Sequence, residues 1–322
     1  MSHQRVAVLR GGPSSEYDVS MKTGQAVLAA LDKAGFSSKD IVITKKGDWL
    51  DAGKVRQPEH ALDAVDVVFI ALHGEYGEDG QVQRILQRKG IPFTGSRALA
   101  SGVAFNKHLT KETLLPHGIL MPRHTKIIKK SSDNIPQIVD EVIETLGSEL
   151  ILKPSNSGSS HGMMHTADKN TLLNSLSTLL QRYDGVLIEE FIRGKEATVG
   201  ILSDFRNQKN YILPVVEIVP PSGEPVFSYI NKYNGQTKEV CPGRFSYREK
   251  TKLADTAAQV HDILNLSHYS RSDFIVRDGE VYFLEINTHP GLTDESLFPK
   301  AAVEVGLDFT SLITHLVQTA RA

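Results

Sequence analysis

Residues 5–35 read RVAVLRGGPSSEYDVSMKTGQAVLAALDKAG, and this stretch decides the fold class. Residues 5–12 form a short, valine-rich apolar run that ends at paired glycines, which predicts a buried strand followed by a turn. From Ser14 onward, Ser and Asp near the start, acids in the first turn and Gly35 after the end predict a helix. A strand, a turn and a helix in this order are typical of α/β folds.

The rest of the N-terminal third repeats this pattern. Apolar runs at 41–44 (IVIT), 65–72 (VDVVFIAL) and 91–95 (IPFTG) predict further strands, and residues 81–90 predict a short helix with a glycine stop. Strands that alternate with helices favour a parallel sheet. We therefore expect residues 1–95 to form a first domain of the βαβ type.

The middle block, residues 96–191, predicts a second domain of the α+β type. A helix is expected from residue 106 to Leu115, where Pro116 ends it. Apolar segments at 149–154 and 186–192 predict strands, with another helix between them.

The last block, residues 192–322, predicts a third domain that consists mostly of strands. One helix interrupts these strands, and the amphipathic segment 309–320 closes the chain as a helix. The fold class is thus α/β: an N-terminal parallel-sheet domain followed by two α+β domains. Several domains joined by short connections favour a ligand held in the clefts between them.

Composition excludes several classes of protein. The net charge of −2 gives no global electrostatic attraction to nucleic acid or to an anionic membrane. The longest apolar segment, VVFIAL at 67–72, is too short to span a bilayer. Cys241 is the only cysteine, so no disulfide can form within the chain. No histidine lies near it in the sequence, which favours a small apolar filler over a nucleophile. We expect a soluble cytoplasmic protein.

Residues 151–167, ILKPSNSGSSHGMMHTA, permit two interpretations. A Ser/Gly-rich run can be a flexible linker. It can also be an anion-binding loop, because its backbone N–H groups can point at phosphate beside Lys153. Predicted strands flank the run within one domain, so the second interpretation is favoured. His161 and His165 are four residues apart, but Gly162 and the strand-like context argue against a helical zinc site.

The strongest constellation of polar residues lies at 270–297, SRSDFIVRDGEVYFLEINTHPGLTDESL. Two strands flank Asp278-Gly279, which is a hairpin signal. Glu285 and Asn287 are two residues apart and therefore share one face of their strand. Asp273 joins that face only if the turn has an odd length, so we expect a three-residue turn. Three oxygen donors on one sheet face suit Mg²⁺.

Two lysines could contact phosphate, although the chain lacks two common nucleotide-binding motifs. Lys107 opens the middle block, and Lys153 ends a strand before the Ser/Gly run. Two lysines that flank a flexible loop opposite a metal site would hold a polyphosphate. The RGGPSSEYD segment lacks the Lys-Ser/Thr ending of a P-loop and the spacing of a dinucleotide fingerprint. Nucleotide binding would therefore follow another pattern.

The order of these segments resembles one known family. They are VAVLRGGPSSEYDVS, FIALHGEYGEDGQVQ, PFTGS, NKHLTKETL, LILKPSNSGSSHGM, VLIEEFIRGKEATV, SYINKYN, SRSDFIV and LEINTHPGLTDESLFPKAA. In this order and spacing, and across essentially the whole chain, the sequence is similar to the D-alanine–D-alanine ligases of the ATP-grasp superfamily. The resemblance implies a three-domain ATP-grasp fold whose second (96–191) and third (192–322) domains enclose the nucleotide.

The resemblance also implies an activity. ATP would phosphorylate the carboxylate of one D-alanine, and the amine of a second D-alanine would displace the phosphate. The product, D-alanyl-D-alanine, would serve peptidoglycan precursor synthesis. ATP is the implied co-substrate, with two Mg²⁺ or Mn²⁺ ions, and a homodimer is the implied assembly.

The resemblance assigns a role to individual residues. Glu16 would hold the ammonium of the first substrate with the help of Ser159, and His73 would lie beside that substrate. The groups expected to contact ATP phosphates or to cover them are Lys107, Lys153, Ser160 and Lys232. The residues expected to line the adenosine pocket are Glu189, Phe191, Ile192 and Glu196.

The remaining implied roles lie on the metal side of the site. Arg271 and the N–H of Gly291 would stabilise the oxyanion of the tetrahedral intermediate. Asp273, Glu285 and Asn287 would hold the metal ions. Ser296 and Leu297 would bind the carboxylate of the second substrate, and Tyr233 would close over the site on a loop.

Two alternatives remain open. A ligase of the same family could use another second substrate, such as D-lactate or D-serine. Tyr233 favours the dipeptide, because the resemblance implies that ester-forming relatives lack this tyrosine. A nucleotide-binding module without catalysis would require the loss of a metal ligand or a phosphate lysine, and this sequence has lost none of them.

Overall fold

The computed structural model describes residues 4–131, 134–155, 162–221, 237–293 and 295–322. The strands are β1 Arg5–Gly11, β2 Ser37–Ile43, β3 Trp49–Asp51, β4 Lys54–Arg56, β5 Val67–Ile70, β6 His124–Ile128, β7 Leu150–Pro154, β8 Met164–Thr166, β9 Gly185–Glu190, β10 Lys195–Phe205, β11 Gln208–Ile212, β12 Val216–Val219, β13 Lys238–Val240, β14 Tyr269–Arg277 and β15 Glu280–Asn287.

The helices are α1 Tyr17–Lys33, α2 Pro58–Ala61, α3 Gln81–Lys89, α4 Ala98–Phe105, α5 Lys107–Leu114, α6 Ile135–Leu146, α7 Lys169–Arg182, α8 Tyr247–Ile263, α9 Leu297–Val303 and α10 Phe309–Gln318. Short 3₁₀ turns occupy Leu115–His117 and Lys129–Ser131. Within the described ranges, no helix is both long and apolar enough to cross a membrane.

The first sheet has the order β4-β3-β2-β1-β5, and β1 is parallel to both β2 and β5. The predicted parallel core is therefore confirmed. The sequence did not reveal that β3 and β4 add an antiparallel hairpin at the edge. The strand expected at residues 91–95 is wrong, because only Phe93 bridges to Val68 there.

The turn after β1 brings the start of α1 close to the sheet. Gly11 has φ +91°, and a Cβ at this position would lie 2.3 Å from the carbonyl oxygen of Ile43. Only glycine therefore fits this close approach. The N–H of Gly11 donates to Ser20 Oγ at 2.8 Å, which fixes the helix beside the strand end. Glu16 lies directly before the helix, at the carboxyl end of the parallel strands, where α/β folds bind ligands.

The second sheet has the order β6-β9-β7-β8 and is antiparallel throughout. Helices α6 and α7 cover one face through a core that includes Val139 and Leu176. Strands β7 and β8 pair directly, with Leu152 opposite Met164. The Ser/Gly run therefore connects two neighbouring strands of one sheet and is not a linker between domains.

The third sheet has the order β13-β12-β10-β14-β15. Strand β11 pairs with the second half of β10, along the same edge as β12. Helix α8 covers one face of the sheet and begins with a capping box in which Ser246 and Glu249 satisfy each other's backbone N–H groups. Helices α4 and α5 contribute Ala104 and Leu114 to the same core. Two helices of the middle block thus pack against the third sheet.

The end of the chain returns to the first sheet. Leu312 and Leu316 of α10 share a core with Val27 and Leu31 of α1. Phe93 also forms a bridge with Arg321. These contacts hold the third sheet against the first, so the three sheets surround one central space.

Candidate active site

A single cavity of about 780 Å³ lies between the three sheets. The cavity is lined by every predicted site residue that falls within the described ranges. These are Glu16, His73, Lys107, Lys153, Glu189, Phe191, Ile192, Glu196, Arg271, Asp273, Glu285, Asn287, Gly291, Ser296 and Leu297. Sequence positions nearly 300 residues apart therefore meet at one site, which is large enough for a nucleotide and a small substrate.

The proposed metal ligands share one face of the β14–β15 hairpin, but not for the reason that the sequence suggested. The turn is a two-residue Asp278-Gly279 turn with positive φ at both residues, so the predicted three-residue turn is wrong. A β-bulge supplies the missing offset instead. Asp273 lies opposite Glu285 while the next pair is Phe274 with Phe283, which leaves Leu284 as the extra residue.

The bulge places two consecutive residues on the cavity side. Leu284 and Glu285 both line the cavity, while Phe283 and Ile286 on either side of them are buried in the core. Arg271 pairs with Asn287 one step further along, so its side chain joins the same face. A single inserted residue thus gives this sheet face an apolar group beside a carboxylate.

The oxygen donors on this face are held by neighbouring groups. Arg271 donates two hydrogen bonds to the two oxygens of Asp273, both at 2.9 Å, and Thr198 donates a third at 2.7 Å. Lys107 Nζ lies 3.3 Å from Glu285 Oε2. Asn287 Oδ1 accepts a hydrogen bond from the N–H of His289 at 2.8 Å. Two carboxylates and an amide oxygen fit Mg²⁺ or Mn²⁺, which prefer oxygen ligands.

A buried charge triad lies at one side of the cavity. Glu189 is 2% exposed, and its two carboxylate oxygens each lie 2.8 Å from a lysine, Lys111 on one side and Lys153 on the other. Burial raises the pKa of Glu189, but the two lysines outweigh burial and lower it to about 2. The carboxylate is therefore ionised, and the triad carries one excess positive charge toward the cavity.

Apolar side chains from two sheets form the other end of the cavity. Ile151 comes from β7, Phe191 and Ile192 follow β9, and Leu284 comes from the bulge. The ring of Phe191 packs on His165 with centroids 4.7 Å apart. Apolar walls in the same cavity as the charged triad suit a planar aromatic base attached to phosphates.

The opposite end of the cavity contains Glu16 and His73. His73 Nδ1 lies 3.0 Å from the carbonyl oxygen of His289, so this nitrogen carries a proton and donates it. Thr23 Oγ1 lies 2.9 Å from Nε2 and donates to it. Burial lowers the pKa of His73, which is consistent with a neutral ring. Both ring nitrogens are thus satisfied, and His73 forms a wall of the site.

Glu78, which sequence reasoning did not select, is a buried carboxyl group next to this wall. Burial, assisted by the negative charge of Glu16, raises its pKa to about 8. Glu78 Oε1 accepts a hydrogen bond from the N–H of Gly74 at 2.9 Å. The raised pKa favours the protonated, neutral form of Glu78 near pH 7.

The segment after β15 closes the cavity. A Cβ at Gly291 would lie 2.9 Å from Ser296 Oγ, so the two residues are in close contact. The N–H of Thr293 donates to Ser296 Oγ at 3.1 Å. Ser296 immediately precedes α9, and Leu297 begins it. This places a hydroxyl and a helix start in the lining of the cavity that Arg271 also lines.

Four predicted site residues, Ser159, Ser160, Lys232 and Tyr233, lie outside the described residues, as does His161. Burial raises the pKa of the Cys241 thiol to about 11, which keeps the thiol protonated and unreactive.

Comparisons with known proteins decide the family. The model described as D-ala D-ala ligase C-terminus matches residues 114–318, and the model described as D-ala D-ala ligase N-terminus matches residues 5–61 and 50–96. The chain belongs to the D-alanine–D-alanine ligase family. A family relative from Syntrophobacter fumaroxidans is 36% identical over 318 residues, which cover 98% of this chain and 97% of that protein.

Solved structures of the family agree with this fold. A D-alanine–D-alanine ligase from Bacillus anthracis complexed with ATP is 30% identical, with a TM-score of 0.80 over 99% of this chain and 97% of that one. The VanG D-Ala:D-Ser ligase from Enterococcus faecalis is 27% identical, with a TM-score of 0.84 over 98% of this chain and 99% of that one. The predicted family and the three-domain ATP-grasp fold class are confirmed.

Within this ligase fold, Lys111 and Glu78 are the main residues that sequence reasoning missed. Lys111 follows Lys107 by one helical turn, and this spacing could have indicated a second lysine on the same side of α5. Glu78 is one of three acids in the HGEYGED segment, and only burial separates it from Glu75 and Asp79. Burial of a single acid in a loop leaves no periodic signal in the sequence.

Proposed function

We propose that this protein joins two D-alanine molecules into D-alanyl-D-alanine and cleaves one ATP to ADP and phosphate, for peptidoglycan precursor synthesis. The observation that carries the proposal is the meeting of Asp273 and Glu285 with Lys107 and Lys153 in one cavity. Membership of the ligase family gives the reaction class. The two carboxylates, the two lysines and the apolar pocket together fit ATP.

ATP would bind with its base between the apolar walls and its phosphates at the lysines. Ile192 and Phe191 would contact the base, and Glu196 would reach the ribose. Lys107 and Lys153 would contact the phosphates, and Ser160 and Lys232 are further proposed phosphate contacts. Two positive side chains at the phosphates favour nucleotide binding and offset charge during transfer.

Asp273, Glu285 and Asn287 would hold two Mg²⁺ or Mn²⁺ ions. Such ions, when bound, neutralise charge on the transferring phosphate. Arg271 keeps the carboxylate of Asp273 in a fixed orientation, because it holds both of its oxygens. The protein thus presents preformed oxygen ligands.

The first D-alanine would bind with its ammonium at Glu16, assisted by Ser159, and with His73 as a wall. Its carboxylate oxygen would attack the γ-phosphorus and release ADP, which forms an acyl phosphate. The amine of the second D-alanine, whose carboxylate would bind at Ser296 and Leu297, would then attack the carbonyl carbon and release phosphate.

Arg271 and the N–H of Gly291 would stabilise the negative oxygen formed in that attack. Tyr233 would cover the acyl phosphate and exclude water. We further propose domain limits at 1–95, 96–191 and 192–322, a cytoplasmic location and a homodimer. These are expectations from the family resemblance.

Glu285→Ala tests the proposed metal ligand against a matched control. Glu280→Ala removes the same side chain from the start of the same strand, where Glu280 contacts Lys252 at the surface. We expect phosphate release with ATP, Mg²⁺ and D-alanine to be lost in Glu285→Ala and retained in Glu280→Ala. Equal activity in both variants would contradict the assignment of Glu285.

The second substrate is tested separately, because one structural relative is a D-Ala:D-Ser ligase. Equimolar D-alanine, D-serine and D-lactate, followed by mass spectrometry of the products, should give mostly the D-alanine dipeptide. A dominant mixed product would assign the protein to the alternative specificity.

A further inference from the structure

Two histidines and a glutamate converge outside the cavity, at the junction of α5 and β6. His108 and Glu112 lie one turn apart on α5, and His124 is the first residue of β6. One donor atom from each side chain lies within 4.8 Å of the other two. The proposed reaction gives no role to any of the three.

The contacts of His124 require either a cation or a proton between its ring and Glu112. Nδ1 of His124 lies 3.1 Å from the carbonyl oxygen of Pro122, which can only accept, so Nδ1 carries a proton. In the neutral ring, Nε2 then directs a lone pair at Glu112 Oε1, 3.4 Å away. A lone pair facing a carboxylate requires a cation or a proton between them.

His108 points to the same conclusion independently. Its Nδ1 is buried and has no hydrogen-bond partner among the described residues. Buried polar atoms in folded proteins are normally satisfied. This nitrogen lies 4.0 Å from Glu112 Oε1, on the same side as His124. Three donor atoms thus surround one point, and a single ion there would satisfy all of them.

We propose that His108, Glu112 and His124 form a binding site for a divalent transition metal ion, with Zn²⁺ as the expected occupant. Two imidazoles and one carboxylate are a ligand set for Zn²⁺ and not for Mg²⁺, which takes oxygen ligands. Ligands of a tetrahedral Zn²⁺ ion lie about 3.4 Å apart. The His124–Glu112 distance of 3.4 Å already matches. The half-exposed Glu112 side chain can close its 4.0 Å separation from His108, and rotation of the His108 ring would adjust the third distance.

The carbonyl of Pro122 strengthens the assignment. Metal-bound histidines generally donate their second N–H to a carbonyl or carboxylate, which fixes the ring orientation. The site would join helix α5 to strand β6. Because α5 carries Lys107 and Lys111, a bound ion would fix the helix that supplies Lys107 to the cavity and Lys111 to the buried triad.

The experiment uses the full chain with excess Mg²⁺ and ADP, which occupy the carboxylate site in the cavity. After treatment with a chelator, Zn²⁺ is added and binding is measured by calorimetry. We expect one Zn²⁺ ion per chain, and we expect His108→Ala, His124→Ala and Glu112→Gln each to weaken binding by more than about tenfold. His117→Ala removes an exposed histidine just beyond α5 and should bind as the wild type does.

Two further readouts separate the metal from a proton. Co²⁺ in place of Zn²⁺ should give the visible absorption of a nitrogen-ligated tetrahedral ion, and His124→Ala should abolish it. Melting temperature should rise with free Zn²⁺ in the wild type but not in Glu112→Gln, whose substituted side chain is partly exposed and compatible with folding. Absence of Zn²⁺ binding, or equal binding by wild type and all three variants, would overturn the proposal.

Discussion

Replacing Lys111 with methionine tests the buried charge triad. The substitution keeps the length and apolar stem of the side chain but removes its charge. Lys111 is fully buried, and its ammonium lies 2.8 Å from Glu189. The remaining pair, Glu189 with Lys153, would be neutral. Lys153 could then contact ATP only if Glu189 were left buried without a cation.

The size of the effect follows from these contacts. At an effective dielectric constant of about 20, one contact at this distance contributes roughly 6 kcal/mol before desolvation. Burial of the lysine charge costs several kcal/mol, and burial accordingly lowers the pKa of Lys111. We expect Lys111→Met to reduce the free energy of unfolding by only about 1–2 kcal/mol. Glu189→Gln leaves two buried cations together and should cost about 3–5 kcal/mol.

ATP affinity should change more than stability does. In Lys111→Met, Lys153 remains committed to Glu189, so the Kd for ATP should rise at least about tenfold, which corresponds to about 1.4 kcal/mol. Urea unfolding gives the stability and calorimetry with a non-hydrolysable ATP analogue gives the Kd. Lys111→Arg, which restores a cation, should recover part of the affinity. Lys169→Met, which breaks a surface ion pair with Asp140, is the matched control and should change neither quantity measurably.

Either of two results would contradict this role of Lys111 and Glu189 in the triad. One is a Lys111→Met variant that binds the ATP analogue as the wild type does while Lys153→Met does not. The other is a Glu189→Gln variant as stable as the wild type, because the lysines would then not depend on its charge.

Three further predictions concern buried groups near the cavity. Glu78→Gln should retain most activity at pH 7, because the raised pKa of about 8 makes the native side chain a neutral hydrogen-bond acceptor. Glu78→Ala should lose most activity. Phosphate release measures the activity of both variants, and an equal loss in both would show that the charge of Glu78 matters. Burial lowers the pKa of His268 to about 3, so its stabilising contribution is present above pH 6.5 and is lost as the pH falls. In urea unfolding between pH 7 and pH 5, the free energy of unfolding of His268→Gln should therefore depend less on pH than that of the wild type, by up to about 1.4 kcal/mol per pH unit. An unchanged pH dependence would contradict a buried neutral ring. Gly95→Ala should lower the free energy of unfolding by about 2 kcal/mol or more, because the added Cβ would lie 2.3 Å from the His289 ring at a backbone φ of +98°. A melting temperature equal to that of the wild type would contradict this contact.

The sequence allowed the polar face of β15 to be predicted, because alternation along a strand places Glu285 and Asn287 on one side. The position of Asp273 on the same face as Glu285 was also predicted, but from a three-residue turn that the hairpin does not have. A bulge at Leu284 and a longer turn give the same offset, and both fit the alternation of the sequence. The bulge buries Phe283 and Ile286 in the core that helix α8 shares, and such packing is a property of the assembled core.

Glu189 shows a second limit of sequence reasoning. The family resemblance assigned Glu189 to the adenosine pocket, and the cavity does include it. Its two lysine partners come from β7 and α5, and nothing in the spacing of Lys111 distinguishes a buried ammonium from a solvated one. A charge deep in the protein is determined by what surrounds it in space.

The most direct test of the central claim is the stoichiometry of the reaction. Purified protein is incubated with ATP, Mg²⁺ and D-alanine, and ADP, phosphate and dipeptide are measured together. We expect one ADP, one phosphate and one D-alanyl-D-alanine per turnover, and no turnover when L-alanine replaces D-alanine. Hydrolysis of ATP without a dipeptide, or no phosphate release with any D-amino acid, would contradict the central claim.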